Sequence, residues 1–269
     1  MSPMADRRRI QRLRGVEPVW KIMCMKLIET HSRQEHILYD AELIENPTTS
    51  YFEMESWNKR GALNGVAKGR GTTAFVHYAG QEYVLRHYRR GGMVARFVED
   101  RYLWSGLAQT RAWREWHLLA ELRGRNLPVP QPVAARVLRR GLFYQADILM
   151  RRIPEAGTLA DLLMESAMAV SLWRELGRTL RNFHAAGVFH ADLNASNILL
   201  DGQNNFHLID FDRGCLREPQ RHWPQANILR LRRSLEKFQD KAKKSQKSFY
   251  FSEADWQALL QGYEVNSSG

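Results

Sequence analysis

Short apolar stretches, bounded by glycine, proline or polar turns, alternate with polar segments through the first half of the chain. This pattern is typical of β-strands. Two of these stretches flank Ala79-Gly80-Gln81, which predicts a hairpin. The predicted strands are residues 37–40, 73–78, 82–87, 133–138 and 142–150.

Helical periodicity becomes the dominant pattern further along. Trp113, Trp116 and Leu119 recur at intervals of three residues, and Gly124 ends that run. Thr158 is a plausible helix cap, with Asp161 in the first turn. Residues 47–61 are expected to form a loop anchored by Phe52 and Trp57. The predicted helices are residues 110–123, 158–164, 171–186, 227–241 and 252–263.

Strands followed by helices predict an α+β protein with a β-rich first part and a mainly helical second part. We expect a basic N-terminal extension over residues 1–34, which is a candidate disordered segment, a β-rich lobe over 35–155 and a helical lobe over 156–269. A length of 269 residues with 44% hydrophobic content is sufficient for a substantial core. The chain has no run of eighteen apolar residues and no signal-peptide core near its start, so we expect it to stay in the cytosol.

The formal net charge of +11 indicates an anionic partner. Nucleic acid, an anionic membrane surface and a polyanionic substrate all fit this charge. Residues 217–247 alone hold ten Lys or Arg against three acids. Cys24 and Cys215 are isolated thiols without metal or disulfide spacing, and we assign them no function.

The segment from His190 to Asp212 carries the strongest chemical signal. Asn197 follows Asp192 by five residues, and Asp210 comes thirteen residues later behind an apolar strand. Phosphoryl transfer needs a carboxylate to orient the attacking hydroxyl and oxygen ligands to hold Mg²⁺ on the nucleotide phosphates. Asp192 therefore is the candidate catalytic carboxylate, which accepts or orients the proton of the attacking hydroxyl, while Asn197 and Asp210 are the candidate metal ligands. His190 is expected to hold the loop backbone by hydrogen bonding.

A glycine-containing segment ahead of the hairpin is the candidate phosphate-binding loop. Gly69, Gly71 and Thr72 can approach phosphate oxygens closely and donate hydrogen bonds. The order of these motifs resembles that of protein kinases, which carry a phosphate-binding lysine on the strand after the glycine loop. In this sequence Arg86 stands at that position and is the candidate cation for the α- and β-phosphates. Glu115 is the expected partner of Arg86, with Glu121 as the rival. The hinge segment that binds the adenine of the nucleotide is expected at Met150 to Ile153.

At this point the sequence resembles a family, the lipopolysaccharide kinases, and in particular those that phosphorylate 3-deoxy-D-manno-octulosonic acid (Kdo). The resemblance covers roughly residues 35–263. Its most discriminating block is Leu-Arg-His-Tyr-Arg-Arg-Gly-Gly, which begins at Leu85 and is absent from generic kinases. The other matching pieces are residues 67–73, 100–102, 128–130, 144–149, 190–200 and 210–212.

The resemblance implies a protein-kinase-like, two-lobed fold with ATP and Mg²⁺ as cofactors. It implies phosphorylation of the 4-hydroxyl of Kdo in Kdo-lipid A, at the cytoplasmic face of the bacterial inner membrane, with the anionic membrane surface as a partner and no nucleic acid. His87, Arg89, Arg90 and Arg101 are the expected contacts for acidic groups of the substrate. The oligomeric state stays open.

Two other functions are compatible with parts of the sequence. A small-molecule phosphotransferase of the aminoglycoside-kinase type shares Pro128-Val129-Pro130 and the catalytic loop, but it needs an acidic acceptor pocket, which the arginines disfavour. A non-catalytic anion-binding pseudokinase would explain the charge and the arginine at position 86. Retention of Asp192, Asn197 and Asp210 disfavours that alternative.

Overall fold

The computed structural model describes residues 25–67, 72–89, 100–218 and 222–264. The chain divides into two compact units. The first unit comprises residues 1–116 and 132–150, and the second comprises 117–131 and 151–269.

An antiparallel sheet forms the first unit. Its strand order is β1-β2-β7-β8-β5-β4-β3, and β6 pairs with β8. Strand β1 lies within the expected extension over residues 1–34 and pairs with β2 along its whole length. The strands are β1 (Leu27–His31), β2 (Glu35–Asp40), β3 (Leu63–Ala67), β4 (Thr72–Tyr78), β5 (Gln81–His87), β6 (Tyr102–Leu103), β7 (Pro132–Arg140) and β8 (Phe143–Arg151).

The β4–β5 hairpin confirms the predicted one. Its turn residues Ala79 and Gly80 both have positive φ, at 48° and 76°. Two successive residues of this kind form the type I′ turn, whose twist matches that of the flanking strands. The register pairs Thr72 with His87 and Thr73 with Arg86, which fixes the position of the candidate phosphate-binding cation.

The segment 47–61 is not a loop, so that prediction was wrong. It contains a 3-10 helix, Thr49–Phe52, and a short helix α1, Met54–Lys59. Six residues of helix are too few to leave a periodic apolar pattern. The expected anchors, Phe52 and Trp57, are nevertheless buried, and the indole of Trp57 donates a hydrogen bond to the Tyr51 carbonyl at 2.8 Å.

Helix α2 spans Arg111–Gly124, as predicted, and the second unit contains the remaining helices. Thr158 caps α3 by accepting a hydrogen bond from the Asp161 amide at 3.0 Å, as expected. Two small sheets, β12-β11-β9 and β10-β13, lie among these helices. The other elements are β9 (Gly157–Thr158), α3 (Leu159–Glu165), α4 (Val170–Ala185), β10 (Val188–Phe189), β11 (Ile198–Leu200), β12 (Phe206–Leu208), β13 (Cys215–Leu216), α5 (His222–Lys244) and α6 (Glu253–Glu264).

Helices α4 and α6 pack through two glycines. A Cβ on Gly177 would lie 2.1 Å from the Leu259 carbonyl oxygen, and a Cβ on Gly262 would lie 1.9 Å from the Arg174 carbonyl oxygen. Real Cβ atoms do not approach that closely, so glycine is required on both sides of this helix crossing. In the described part of the chain, no helix is both long and apolar enough to cross a membrane.

An antiparallel sheet in one unit and mostly helices in the other confirm the predicted α+β class.

Candidate active site

Asp192 lies in the loop that follows β10. Its neighbours Leu193 and Ala195 are fully buried and anchor the loop in the second unit. The Asp192 side chain is 59% exposed. A fixed backbone that presents an exposed carboxylate suits a group that must reach an incoming hydroxyl.

Asn197 is tied to the backbone of Asp192. Its side-chain Nδ2 donates a hydrogen bond to the Asp192 carbonyl at 2.9 Å, and Asn194 Nδ2 donates to the same oxygen at 3.0 Å. The main-chain carbonyl of Asn197 accepts from the Ile209 amide at 3.0 Å. The structure therefore brings Asp192, Asn197 and the residue before Asp210 together.

His190 connects the backbone at Asp192 to the backbone just before Asp210 through both of its ring nitrogens. Nδ1 accepts from the Asp192 amide at 3.2 Å, so the ring proton lies on Nε2, which donates to the Ile209 carbonyl at 2.9 Å. Burial lowers the pKa of His190 and keeps the ring neutral, as this arrangement requires. The expected role of His190 in holding the loop backbone is thus confirmed.

Asn227 on α5 holds His190 from the other side, and the sequence did not reveal it. Its Oδ1 accepts from the His190 amide at 3.2 Å, and its Nδ2 donates to the His190 carbonyl at 3.0 Å. Asn227 is buried among the apolar residues of α5. A polar residue within the apolar stripe of a helix was the available signal, because buried amides need partners.

Asp210 adopts a left-handed backbone conformation, with φ of 62°. Asp and Asn adopt this conformation at the lowest cost among residues with a Cβ. The next residue, Phe211, is buried against the rings of His190 and Phe183, at centroid distances of 4.8 and 6.2 Å. This packing fixes the chain direction at Asp210.

The donor set of Asn197 and Asp210 fits Mg²⁺, which takes one or two protein oxygen ligands and completes its shell with phosphate and water. Because Nδ2 of Asn197 is engaged with the Asp192 carbonyl, Oδ1 is the end able to bind a cation. Among the described residues, no cluster of three or more His, Cys, Asp or Glu side chains is arranged around a metal. Mg²⁺ therefore stays a prediction.

Arg230 is a second residue that sequence reasoning missed. Its Nη1 lies 3.3 Å from Asp192 Oδ1, and its side chain is 48% exposed. Only the high basic content of residues 217–247 hinted at a cation here. Arg230 places a positive charge beside the carboxylate that is the candidate catalytic group.

In the first unit, Arg86 forms an ion pair with Glu115. Tyr88 donates its hydroxyl hydrogen bond to the same Glu115 oxygen at 2.6 Å, and the Arg86 guanidinium lies 4.7 Å from the Tyr88 ring centroid. Burial, and then the charge of Glu115, raise the pKa of Tyr88 well above 10. Glu121 pairs with Arg125 instead, at 2.8 Å, so Glu115 is confirmed as the partner of Arg86.

His87 is held within the sheet by a buried carboxylate. Its Nδ1 lies 2.7 Å from Asp147 Oδ1, while the other Asp147 oxygen accepts from Arg136 Nε at 2.9 Å. Arg136 and Asp147 face each other across β7 and β8. This network gives His87 a structural contact, and its role as a substrate ligand stays a prediction.

The remaining candidate residues differ in their exposure and position. Arg89 and Arg101 are exposed, Met150 is buried near the end of β8, and Thr72 begins β4. Gly69, Gly71 and Arg90 lie outside the described residues.

A loop acid, an asparagine five residues later, a second acid behind a short strand pair and an ion-paired cation on β5 are the parts of a protein-kinase-like phosphotransferase. The comparisons with known proteins identify the group more closely. The chain belongs to the Lipopolysaccharide kinase (Kdo/WaaP) family, whose model matches residues 54–263. The chain is accordingly a kinase with a protein-kinase-like fold, as expected.

Several curated relatives carry the name 3-deoxy-D-manno-octulosonic acid kinase. The chain is 39% identical over 231 residues to one from Vibrio vulnificus strain YJ016, covering 86% of this chain and 95% of that protein. It is 40% identical over 231 residues to one from Photobacterium profundum, with the same coverage of 86% and 95%. One from Stenotrophomonas maltophilia strain K279a is 40% identical over 229 residues, covering 85% and 89%.

Proposed function

We propose that this kinase transfers the γ-phosphoryl group of ATP to the 4-hydroxyl of Kdo in Kdo-lipid A, during synthesis of the lipopolysaccharide inner core. Relatives that share about 40% of their residues over most of the chain support Kdo as the acceptor sugar. The 4-hydroxyl, the lipid A anchor and the use of ATP come from the family resemblance of the sequence.

The observation that carries the proposal is the geometry around Asp192. His190, Asn194 and Asn197 hold the loop backbone while the carboxylate remains exposed. In the proposed reaction, Asp192 accepts the proton of the Kdo hydroxyl as that oxygen bonds to the γ-phosphorus. The bond from the γ-phosphorus to the β–γ bridging oxygen breaks, and ADP leaves.

On the nucleotide side, Arg86 is proposed to bind the α- and β-phosphates, and Glu115 to fix the direction of the guanidinium. Glu115 is 1% exposed, so it can serve as a rigid support for a cation that is itself 16% exposed. Gly69, Gly71 and Thr72 are the proposed phosphate-loop contacts, and Met150 lies at the proposed adenine hinge.

Asn197 and Asp210 are the proposed Mg²⁺ ligands. When bound, Mg²⁺ would neutralise the charge of the nucleotide phosphates. The hydrogen bond from Asn197 Nδ2 to the Asp192 carbonyl sets the direction of the Asn197 side chain independently of the metal.

The charge of the protein supports an acidic acceptor. Kdo carries a carboxylate and lipid A carries phosphates, and the chain has a formal net charge of +11. Arg230 places a cation beside Asp192, which favours an anionic sugar and disfavours a cationic drug such as an aminoglycoside. His87, Arg89, Arg90 and Arg101 are further candidates for acidic groups of the acceptor.

A lipid-linked acceptor and a cytoplasmic supply of ATP lead us to propose a peripheral position at the cytoplasmic face of the bacterial inner membrane. The basic surface of the chain supports this placement, because anionic lipids attract Lys and Arg.

Radiolabelled γ-phosphate transfer tests the proposed function. The purified chain is incubated with ATP and Mg²⁺ and with each of three acceptors: Kdo-lipid A, lipid A without Kdo, and an aminoglycoside. We expect label only on Kdo-lipid A, and none with Asp192→Asn. Label on the aminoglycoside, or no label from folded wild-type protein on any acceptor, would contradict the proposal.

A further inference from the structure

One face of α5 carries a continuous row of cations. Arg230, Arg233, Lys237, Lys241 and Lys244 follow one another at intervals of three or four residues, which places them on the same side of the helix. All five are exposed. We refer to these five residues as the cationic ridge.

The opposite side of α5 faces the core of the second unit. Ile228, Leu231, Leu235 and Ala242 are buried there. The cationic ridge therefore faces away from the core, as expected for an amphipathic helix.

Beyond Arg230, the cations of the ridge are not held in ion pairs. Arg233, Lys237, Lys241 and Lys244 form no ion pair with any carboxylate of the described residues. Arg232, which lies off the ridge, pairs with both Glu236 and Glu253 at 2.8 Å. Asp240, exposed three residues after Lys237 and four before Lys244, is the one acid on this side of the helix and offsets one of the five charges. The remaining like charges at helical neighbours destabilise the helix slightly in the absence of an anionic partner.

The helix dipole explains only part of the row. Cations in the last turn of a helix are favourable because they face the partial negative charge of its C-terminus. Lys241 and Lys244 lie in that last turn. Arg233 and Lys237 lie outside it, so their alignment with the others requires a different reason.

Length and position indicate what the cationic ridge binds. The fifteen residues from Arg230 to Lys244 are separated by fourteen helical steps, a rise of about 21 Å, which is longer than one sugar. One end of the ridge, Arg230, contacts Asp192. Leu229, adjacent to that end, is 51% exposed and adds an apolar contact. A surface that displays many anions matches a row of this length better than one small ligand does.

We propose that the cationic ridge binds the face of an anionic lipid bilayer and so holds Asp192 beside acceptors displayed in that bilayer. The proposal rests on the proposed function, because binding to a bilayer brings Asp192 closer to its acceptor only if that acceptor is anchored in the bilayer. Each Lys or Arg near such a surface strengthens binding about five-fold.

Vesicle flotation of the full-length protein tests the proposal without turnover. The vesicles contain phosphatidylcholine alone or with phosphatidylglycerol, and no Kdo. The ridge variant is Lys237→Gln with Lys241→Gln. The matched control is Lys59→Gln with Lys243→Gln, which removes the same charge from exposed positions off the ridge.

We expect wild-type protein to float with the anionic vesicles and not with the neutral ones. The ridge variant should bind the anionic vesicles about 25-fold more weakly, from two charges at about five-fold each, while the control stays close to wild type. Equal losses in both variants, or binding of the wild-type protein to neutral vesicles, would overturn the proposal. It would also be overturned if the ridge variant kept its vesicle binding and lost only its retention on nucleic acid.

Failure of this proposal can be distinguished from failure of the proposed function. Vesicle binding uses no acceptor, and phosphate transfer can be measured on Kdo-lipid A dispersed in neutral detergent. If the protein phosphorylates Kdo in detergent but does not bind anionic vesicles, only the proposed contact between the cationic ridge and the bilayer is refuted. A chain that binds the vesicles through the ridge but never phosphorylates Kdo would refute the proposed reaction.

Discussion

Arg230 Nη1 lies 3.3 Å from Asp192 Oδ1, and the two side chains come from α5 and from the loop after β10. The side chains are 48% and 59% exposed. Solvent screens a pair of this kind, so its contribution to stability is at most about 1 kcal/mol. We therefore expect the pair to influence which ligands bind near Asp192 more than it influences the free energy of unfolding.

Arg230→Gln tests that distinction. A charge-assisted hydrogen bond contributes about 1.5–3 kcal/mol, so we expect kcat/KM for the Kdo acceptor to fall about 10- to 100-fold, mainly through KM. The free energy of unfolding should change by less than about 1 kcal/mol. Steady-state kinetics and denaturant unfolding give both values. Arg232→Gln, on the same helix but paired with Glu236 and Glu253, is the control, and an unchanged acceptor KM in Arg230→Gln would count against the assignment.

Asp210→Asn separates backbone shape from metal chemistry. Asn tolerates the left-handed conformation seen at φ of 62°, so the fold should stay as stable as wild type. Loss of the carboxylate should lower turnover by about 1,000-fold or more, because a bound metal supplies several kcal/mol to the transition state. Asp210→Ala should lose turnover and also about 1 kcal/mol of stability, because Ala is strained in this conformation. Unfolding curves and kcat for both variants check this, and full activity in Asp210→Asn would remove Asp210 from the proposed ligands.

The stability of the protein should fall in mild acid because of His184. Burial lowers the pKa of this histidine from 6.5 to about 4. Between those values the unfolded chain binds a proton that the folded chain does not, so stability is complete above pH 6.5 and decreases as the pH falls toward 4. A difference of this size corresponds to about 3 kcal/mol. Denaturant unfolding at a series of pH values measures the slope.

His184→Gln should reduce that slope without abolishing it. The pKa values of His36, His117 and His190 are also lowered by burial, so they add to the loss of stability in the same direction. An identical slope in wild type and His184→Gln would show that this histidine is not buried in neutral form.

Gly262→Ala tests the α4–α6 crossing. The new methyl group would lie 1.9 Å from the Arg174 carbonyl oxygen, which belongs to the backbone and cannot rotate away. We expect a loss of about 3 kcal/mol in the free energy of unfolding. Gly202→Ala is the control, because the closest atom to its Cβ would be Glu155 Oε2 at 2.6 Å, at the end of a flexible side chain, and no backbone atom is among its nearest neighbours. If both variants were equally stable, the helices would not pack through Gly262.

Local signals were sufficient for much of this fold. Thr158 was predicted as a helix cap from its residue type and from Asp161 three residues later, and the hydrogen bond is present at 3.0 Å. The β4–β5 hairpin followed from two apolar runs around a glycine turn. Glu115 was preferred over Glu121 as the partner of Arg86, and the ion pair is formed.

Contacts that depend on tertiary structure were not predictable in the same way. Helix α5 begins at His222, ahead of the predicted start at Asn227, because Pro224 is tolerated in the first helical turn. Asn227 and Arg230 contact His190 and Asp192 from more than 30 residues away in the sequence, and no local pattern predicts such contacts. Asp147 likewise joins His87 and Arg136 only because β5, β8 and β7 are neighbours in the sheet.

Mass spectrometry of Kdo-lipid A after reaction with Mg²⁺ and ATP tests the proposed function most directly, because fragmentation locates the added phosphate. We expect one new phosphate on the 4-hydroxyl of Kdo with wild-type protein, and none with a folded Asp192→Asn variant. A phosphate on the glucosamine backbone of lipid A, or the same product from Asp192→Asn, would contradict the proposed function.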